Sequence, residues 1–171
     1  KTLEEEIKEA TYIYIDFNAI IHRTSEQTVF EKNLEFVDYI ENNEDKKKRF
    51  KFINKIKENL ENDIINNIIG ELNDIIKSAD KMKELYIAFD GIPELSKCVE
   101  QKHRKTLGFI KTEIEKELNE LYDNPYDKYQ NGDHKFFEKN KMTFSKSNIS
   151  LHAEFMQVLT NKMKKEFDNQ K

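Results

Sequence analysis

Cysteine occurs only once in this chain, at Cys98, so neither an internal disulfide framework nor a cysteine-based zinc cluster can form. A lone cysteine of this kind is expected to be packed, and its scarcity suits an intracellular protein, cytoplasmic or nuclear. No apolar run approaches the ~20 residues of a membrane span. The start, Lys1 to Glu9, is acidic and helical in pattern, unlike a signal peptide. Cations are in deficit, with 29 Lys and Arg against 33 Asp and Glu, for a net charge of −4. Phosphate binding needs cations, so that balance gives no support to general nucleic-acid affinity, and any contact must be local. There is no P-loop, no dinucleotide-binding glycine motif, no Ser or Cys nucleophile arrangement and no internal repeat.

What is present is a chain of 171 residues, long enough to bury a real core, with 12 Phe and 7 Tyr that argue against disorder. Its Lys/Asn runs read as solvated surface, and the preference for Lys over Arg as the imprint of an AT-rich genome. Thr2 to Glu5 (TLEE) has the form of a capping box before a short helix. Thr11 to Ile15 (TYIYI) is a continuous β-branched and aromatic run, as expected of a strand buried on both faces of a parallel sheet. It ends at Asp16. From about Glu44 to Ala79, apolar residues recur at Ile53, Ile56, Leu60, Ile64, Ile68, Leu72, Ile75 and Ile76, the spacing of a long amphipathic helix mildly interrupted at Gly70. Leu85 to Phe89 (LYIAF) repeats the strand pattern and runs into Asp90, with Gly91 and Pro93 forcing a turn. Strand, crossover helix and strand form a βαβ unit. A second long helix is expected over about Leu95 to Tyr122, an irregular loop or insertion over about 123–146, and an amphipathic helix of Phe155, Met156, Leu159 and Met163 capped by Ser150. The whole reads as part of one domain.

Ligands of open parallel sheets bind beyond the carboxyl ends of the strands, and both expected strands deliver an aspartate there, Asp16 and Asp90. Two bare carboxylates ~5 Å apart repel by about 3 kcal/mol at an effective dielectric near 20, a cost that a shared cation offsets. Hard oxygen ligands select Mg²⁺ or Mn²⁺, ions that can activate water at a phosphodiester. The plainer alternative is that each aspartate caps a following helix. A covalent phosphatase would need a second acid two residues after the first, and Asn18 stands there instead.

Lys97, Gln101, Arg104 and Lys105 fall within about a 100° arc of a helix and can grip a terminal phosphate, although Glu100 and Lys102 interleave as on an ordinary solvated helix. His22 either stacks on a base or packs against Ile20 and Ile21. His103, His134 and His152 lack metal-ligand spacing.

Three stretches, in order, resemble the XRN family of 5′→3′ exoribonucleases. These are Tyr14 to His22 (YIDFNAIIH), Ala88 to Pro93 (AFDGIP) running on to Lys97–Lys105 (KCVEQKHRK), and Ser147 to Ser150 (SNIS) with Glu154 to Met156 (EFM). The resemblance implies a PIN-like or FEN-like α/β nuclease fold with a parallel βαβ core and long helices. It implies Asp16 and Asp90 as catalytic ligands of Mg²⁺, with Mn²⁺ as a substitute. It further implies Lys97, Gln101, Arg104 and Lys105 as the pocket for a 5′-monophosphate, and His22 stacked on the first base. Lys105 stands where the family has arginine, which keeps the charge and loses a bidentate contact. Ala19 replaces a glycine, and Leu151 and His152 stand where the family usually has Pro-Gly.

The family's later acidic elements and its opening Gly-x-Pro-x-Phe segment do not occur in these residues. The chain is therefore expected to be the first part of such a nuclease domain, inactive by itself. The expected activity is hydrolysis of 5′-monophosphorylated RNA to nucleoside 5′-monophosphates. The rivals are a FEN-like structure-specific DNA nuclease and, from another class, a catalytically inactive helical scaffold.

Overall fold

The computed structural model describes residues 8–89, 95–121, 132–150 and 152–167. The expected capping box at Thr2 to Glu5, the aspartate Asp90 and the turn at Gly91 to Pro93 lie outside them.

The two strands form where the β-branched and aromatic runs are. Strand β1, Tyr12–Asp16, pairs in parallel with β2, Glu84–Ala88, in a register that sets Tyr12 against Glu84 and Asp16 against Ala88. Side chains alternate along both strands. Ile13, Ile15, Leu85 and Ile87 are half-buried, whereas Tyr12, Tyr14 and Tyr86 are exposed, Tyr14 by 73%. The expectation of burial on both faces is thus corrected: among the described residues, the tyrosine face of the two-stranded sheet carries no covering layer. Its aromatic rings shelter one another. Tyr14 stacks on Tyr86 with centroids 4.8 Å apart, and the Tyr86 hydroxyl donates to the Glu84 carboxylate at 2.5 Å, which raises the phenol above its ordinary value.

Two helices, not one, make the crossover. Helix α1, Phe17–Asn42, follows β1 directly, and α2, Lys46–Ser78, returns to β2. Their shared core joins Phe17, Ile21, Phe36 and Ile40 to Ile53, Ile64, Ile68 and Leu72, each worth roughly 1.5–3 kcal/mol of burial. Asp45 caps α2, accepting from the Lys47 and Lys48 amides at 2.8 and 3.4 Å. The corner between the helices is tied by Arg49. Its buried guanidinium donates to the carbonyls of Asn43 and Ile40, the latter at 2.6 Å, and so satisfies the orphan acceptors at the end of α1.

Two of the polar residues on the buried side of α1 bond back to their own helix. Ser25 Oγ donates to the Ile21 carbonyl at 2.6 Å and Thr28 Oγ1 to that of Thr24 at 2.8 Å, while Asn67 of α2 donates to Thr28 Oγ1 at 2.9 Å. Asn33 pins the later chain. Its amide nitrogen donates to the Met142 carbonyl at 3.0 Å and its oxygen accepts from the Met142 amide at 2.8 Å, a pairing across 109 residues.

Helix α3 covers Leu95–Leu121, and α4, Gly132–Asn140, occupies part of the stretch read as irregular; residues 122–131 of that stretch lie outside the described residues. A 3₁₀ turn, Lys146–Ile149, precedes α5, Glu154–Phe167. Phe155, Met156, Leu159 and Met163 of α5 are buried as their spacing requires, but Ser150 closes the 3₁₀ turn and does not cap the helix. The chain divides into two compact units, one of residues 1–90 with 140–171 and the other of residues 91–139, to which α3 and most of α4 belong.

Candidate active site at the carboxyl edge of the strands

Asp16 ends β1 and stands at the N-cap position of α1. Its backbone is extended there, with φ −72° and ψ 98°, yet the carboxylate makes no capping hydrogen bond and is exposed. An aspartate present only to cap would accept from the second or third amide of the helix. The oxygens of Asp16 are therefore open toward solvent at the edge where open sheets bind ligands. The next residue, Phe17, is fully buried and meets Phe89 edge-on, with ring centroids 5.3 Å apart. That contact joins the residue after Asp16 to the residue before Asp90.

Two residues beyond Asp16, in the first turn of α1, Asn18 Oδ1 is buried without a hydrogen-bond partner, as is Thr24 Oγ1 further along the helix. An unmet buried acceptor costs roughly 1–3 kcal/mol, and Asn18 is unusual in bearing that cost beside an open carboxylate. Sequence reasoning used Asn18 only to set aside a phosphatase. Its place two residues after Asp16, in the first turn of α1, was the available signal.

His22 lies one and a half turns into α1 and is half-buried. Its neighbour Ile21 is fully buried in the core, and His22 lines a groove of ≈ 280 Å³ with Val29, Phe30, Phe144, Lys146 and Ile149. That groove was not read from sequence, because its walls lie more than a hundred residues apart.

The second unit carries the other expected residues. Lys97, Gln101, Arg104 and Lys105 are all exposed on the continuous helix α3, so their offsets of four, seven and eight hold them on one side. Arg104 donates to Glu100 one turn earlier, an exposed pair worth little and readily exchanged for a phosphate. Val99, Leu107, Ile110, Ile114 and Leu118 form an exposed apolar stripe on another side of the same helix. Cys98 is exposed, against the expectation that it packs, as are the other described side chains of α3.

No group of three or more His, Cys, Asp or Glu side chains that could hold a metal occurs among the described residues, where Asp16 supplies one open carboxylate.

Parallel strands joined by helices, with an uncommitted aspartate at their carboxyl edge, define a mostly helical α/β protein with a candidate catalytic rim. The family model for the XRN 5′–3′ exonuclease N-terminus matches residues 1–171, and the chain belongs to that family. The resemblance read from the three motifs is borne out. At the level of the family this means a nuclease that degrades RNA from the 5′ end, and it suggests a PIN-like fold. Neither a curated protein nor a solved structure matches the chain.

Proposed function

We propose that this chain forms the first part of a metal-dependent 5′→3′ exoribonuclease that hydrolyses 5′-monophosphorylated RNA to nucleoside 5′-monophosphates. The observation that carries the reading is the open carboxylate of Asp16 at the strand edge, joined through the Phe17–Phe89 contact to the residue preceding Asp90. On this reading Asp16 and Asp90 hold Mg²⁺, or Mn²⁺ in its place, and later acidic residues of the full protein complete the ligand set. The bound ion would lower the pKa of the attacking water and stabilise the leaving oxygen.

The chain's own residues do the rest. Lys97, Gln101, Arg104 and Lys105 grip the terminal phosphate, Arg104 with two parallel donors. His22 stacks on the first base and fixes the scissile bond in register. A single cysteine suits action inside the cell.

Digestion of 5′-phosphate and 5′-hydroxyl RNA by the complete enzyme, with and without Asp16→Asn or Asp90→Asn, tests the reading. Loss of turnover with RNA binding kept is expected, because an amide is a poor ligand for Mg²⁺. Wild-type rates in either variant would refute it.

A further inference from the structure

His22 opens a groove that continues along α1 past any single base it could stack on. His22, Glu26, Val29 and Asn33 recur at helical spacing on one side of α1, a run of about 16 Å at 1.5 Å per residue. Phe144, Lys146 and Ile149 form the facing wall, held there by the pairing of Asn33 with the Met142 peptide. The lining is apolar where it is deep. Ile149 is buried, Val29 and Phe144 are half-buried, and Phe30 stands at the mouth, 63% exposed.

The polar groups inside are already committed. Ser25 Oγ bonds the Ile21 carbonyl, and both ends of the Asn33 amide serve Met142. A ligand that must exchange several hydrogen bonds gains nothing from such walls, whereas a flat ring gains stacking and loses little. At ≈ 280 Å³ the groove lies below the usual range for a whole small molecule, about 300–1,000 Å³, and suits one ring system. At the rim, Lys146 lies 3.2 Å from Glu26, with side chains 77% and 67% exposed. So exposed a pair adds little by itself, and Lys146 can exchange the carboxylate for a backbone phosphate.

We propose that this groove is a second base-stacking subsite, taking one nucleobase downstream of the nucleotide at His22 while Lys146 meets the phosphate beside it. The proposal rests on the RNA reading above and adds to it a place for the strand that follows the 5′ end. Because its walls stack and do not hydrogen-bond, the subsite accepts every base, as stacking platforms for single strands do. A strand held at two bases stays in register while the first nucleotide is removed.

The test uses 5′-phosphorylated oligouridylates carrying one 2-aminopurine at the second, third, fourth or fifth nucleotide, mixed with the full-length enzyme without divalent metal. One position is expected to be quenched by binding. Phe30→Ala should abolish the quench there and weaken binding by about tenfold, the loss of one stacked base. Phe30→Trp should restore both. Binding by anisotropy with every quench unchanged in Phe30→Ala would overturn the subsite and leave the RNA reading standing. No binding of any oligonucleotide would overturn both. Quenching by a free ring compound but by no position in RNA would assign the groove to a small ligand and overturn the subsite.

Discussion

Replacing Asn33 with leucine removes the side chain that bonds both the backbone N–H and the backbone carbonyl of Met142. The two hydrogen bonds are 3.0 and 2.8 Å long and part-buried, and Met142 itself is 2% exposed. Leucine matches the volume of asparagine closely enough to keep the packing, so the change isolates the polar term. Each stranded group costs ~1–3 kcal/mol, and partial access to water lowers the sum to about 2–3 kcal/mol for the pair. For a chain of this size that is a fall in Tm of roughly 4–12 °C. Urea titration should show the midpoint lowered with the slope unchanged, and amide exchange at Met142 should accelerate more than exchange at Leu159 of the core. A loss below about 0.5 kcal/mol, with the Met142 amide still protected, would show that the clamp does not hold the segment to α1.

Arg104→Ala should weaken binding of 5′-phosphate ends far more than of 5′-hydroxyl ends, by about tenfold in a competition assay; equal losses would make it a general electrostatic patch. Arg49→Ala strands the carbonyls of Ile40 and Asn43 at a buried corner and should cost about 2–3 kcal/mol in chemical denaturation, whereas no change would place the corner's stability elsewhere. Lys32 is held protonated above its ordinary value of 10.5, first by its hydrogen bond to Glu35 and then by the charges of Glu35 and Asp63. A raised lysine stabilises the fold below the unfolded value and loses that effect as pH rises through the folded one. Lys32→Met should therefore lower the melting temperature at neutral pH, and the gap from wild type should close only above pH 10.5.

Helix α2 was legible because its isoleucines recur on one face and its charges on the other. Helix α1 was not. Its buried side mixes Ile21 and Phe36 with Thr24, Ser25 and Thr28, while Phe30 and Leu34 face solvent, so the apolar period is blurred. The hydroxyls of Ser25 and Thr28 are tolerated because they bond back to the helix, which no pattern of hydrophobicity reveals. The strands were placed to within one residue, because β-branched runs that end in aspartate are distinctive. Their open tyrosine face was missed, since a tyrosine ring reads as apolar in a run and yet can stack on its neighbour in water. Asp16 and the α3 side chains were legible as motifs with spacing. The groove at His22 was not, because Asn33 brings Phe144 and Ile149 to it from more than a hundred residues away.

The most direct test of the exoribonuclease account is product analysis from a long RNA with a 5′-monophosphate, digested by the complete enzyme with Mg²⁺. The account predicts nucleoside 5′-monophosphates released in order from the 5′ end, slowed when that end is a hydroxyl and absent in Asp16→Asn. Oligonucleotide products from internal cuts, a preference for flapped DNA, or equal rates on both kinds of RNA end would contradict it.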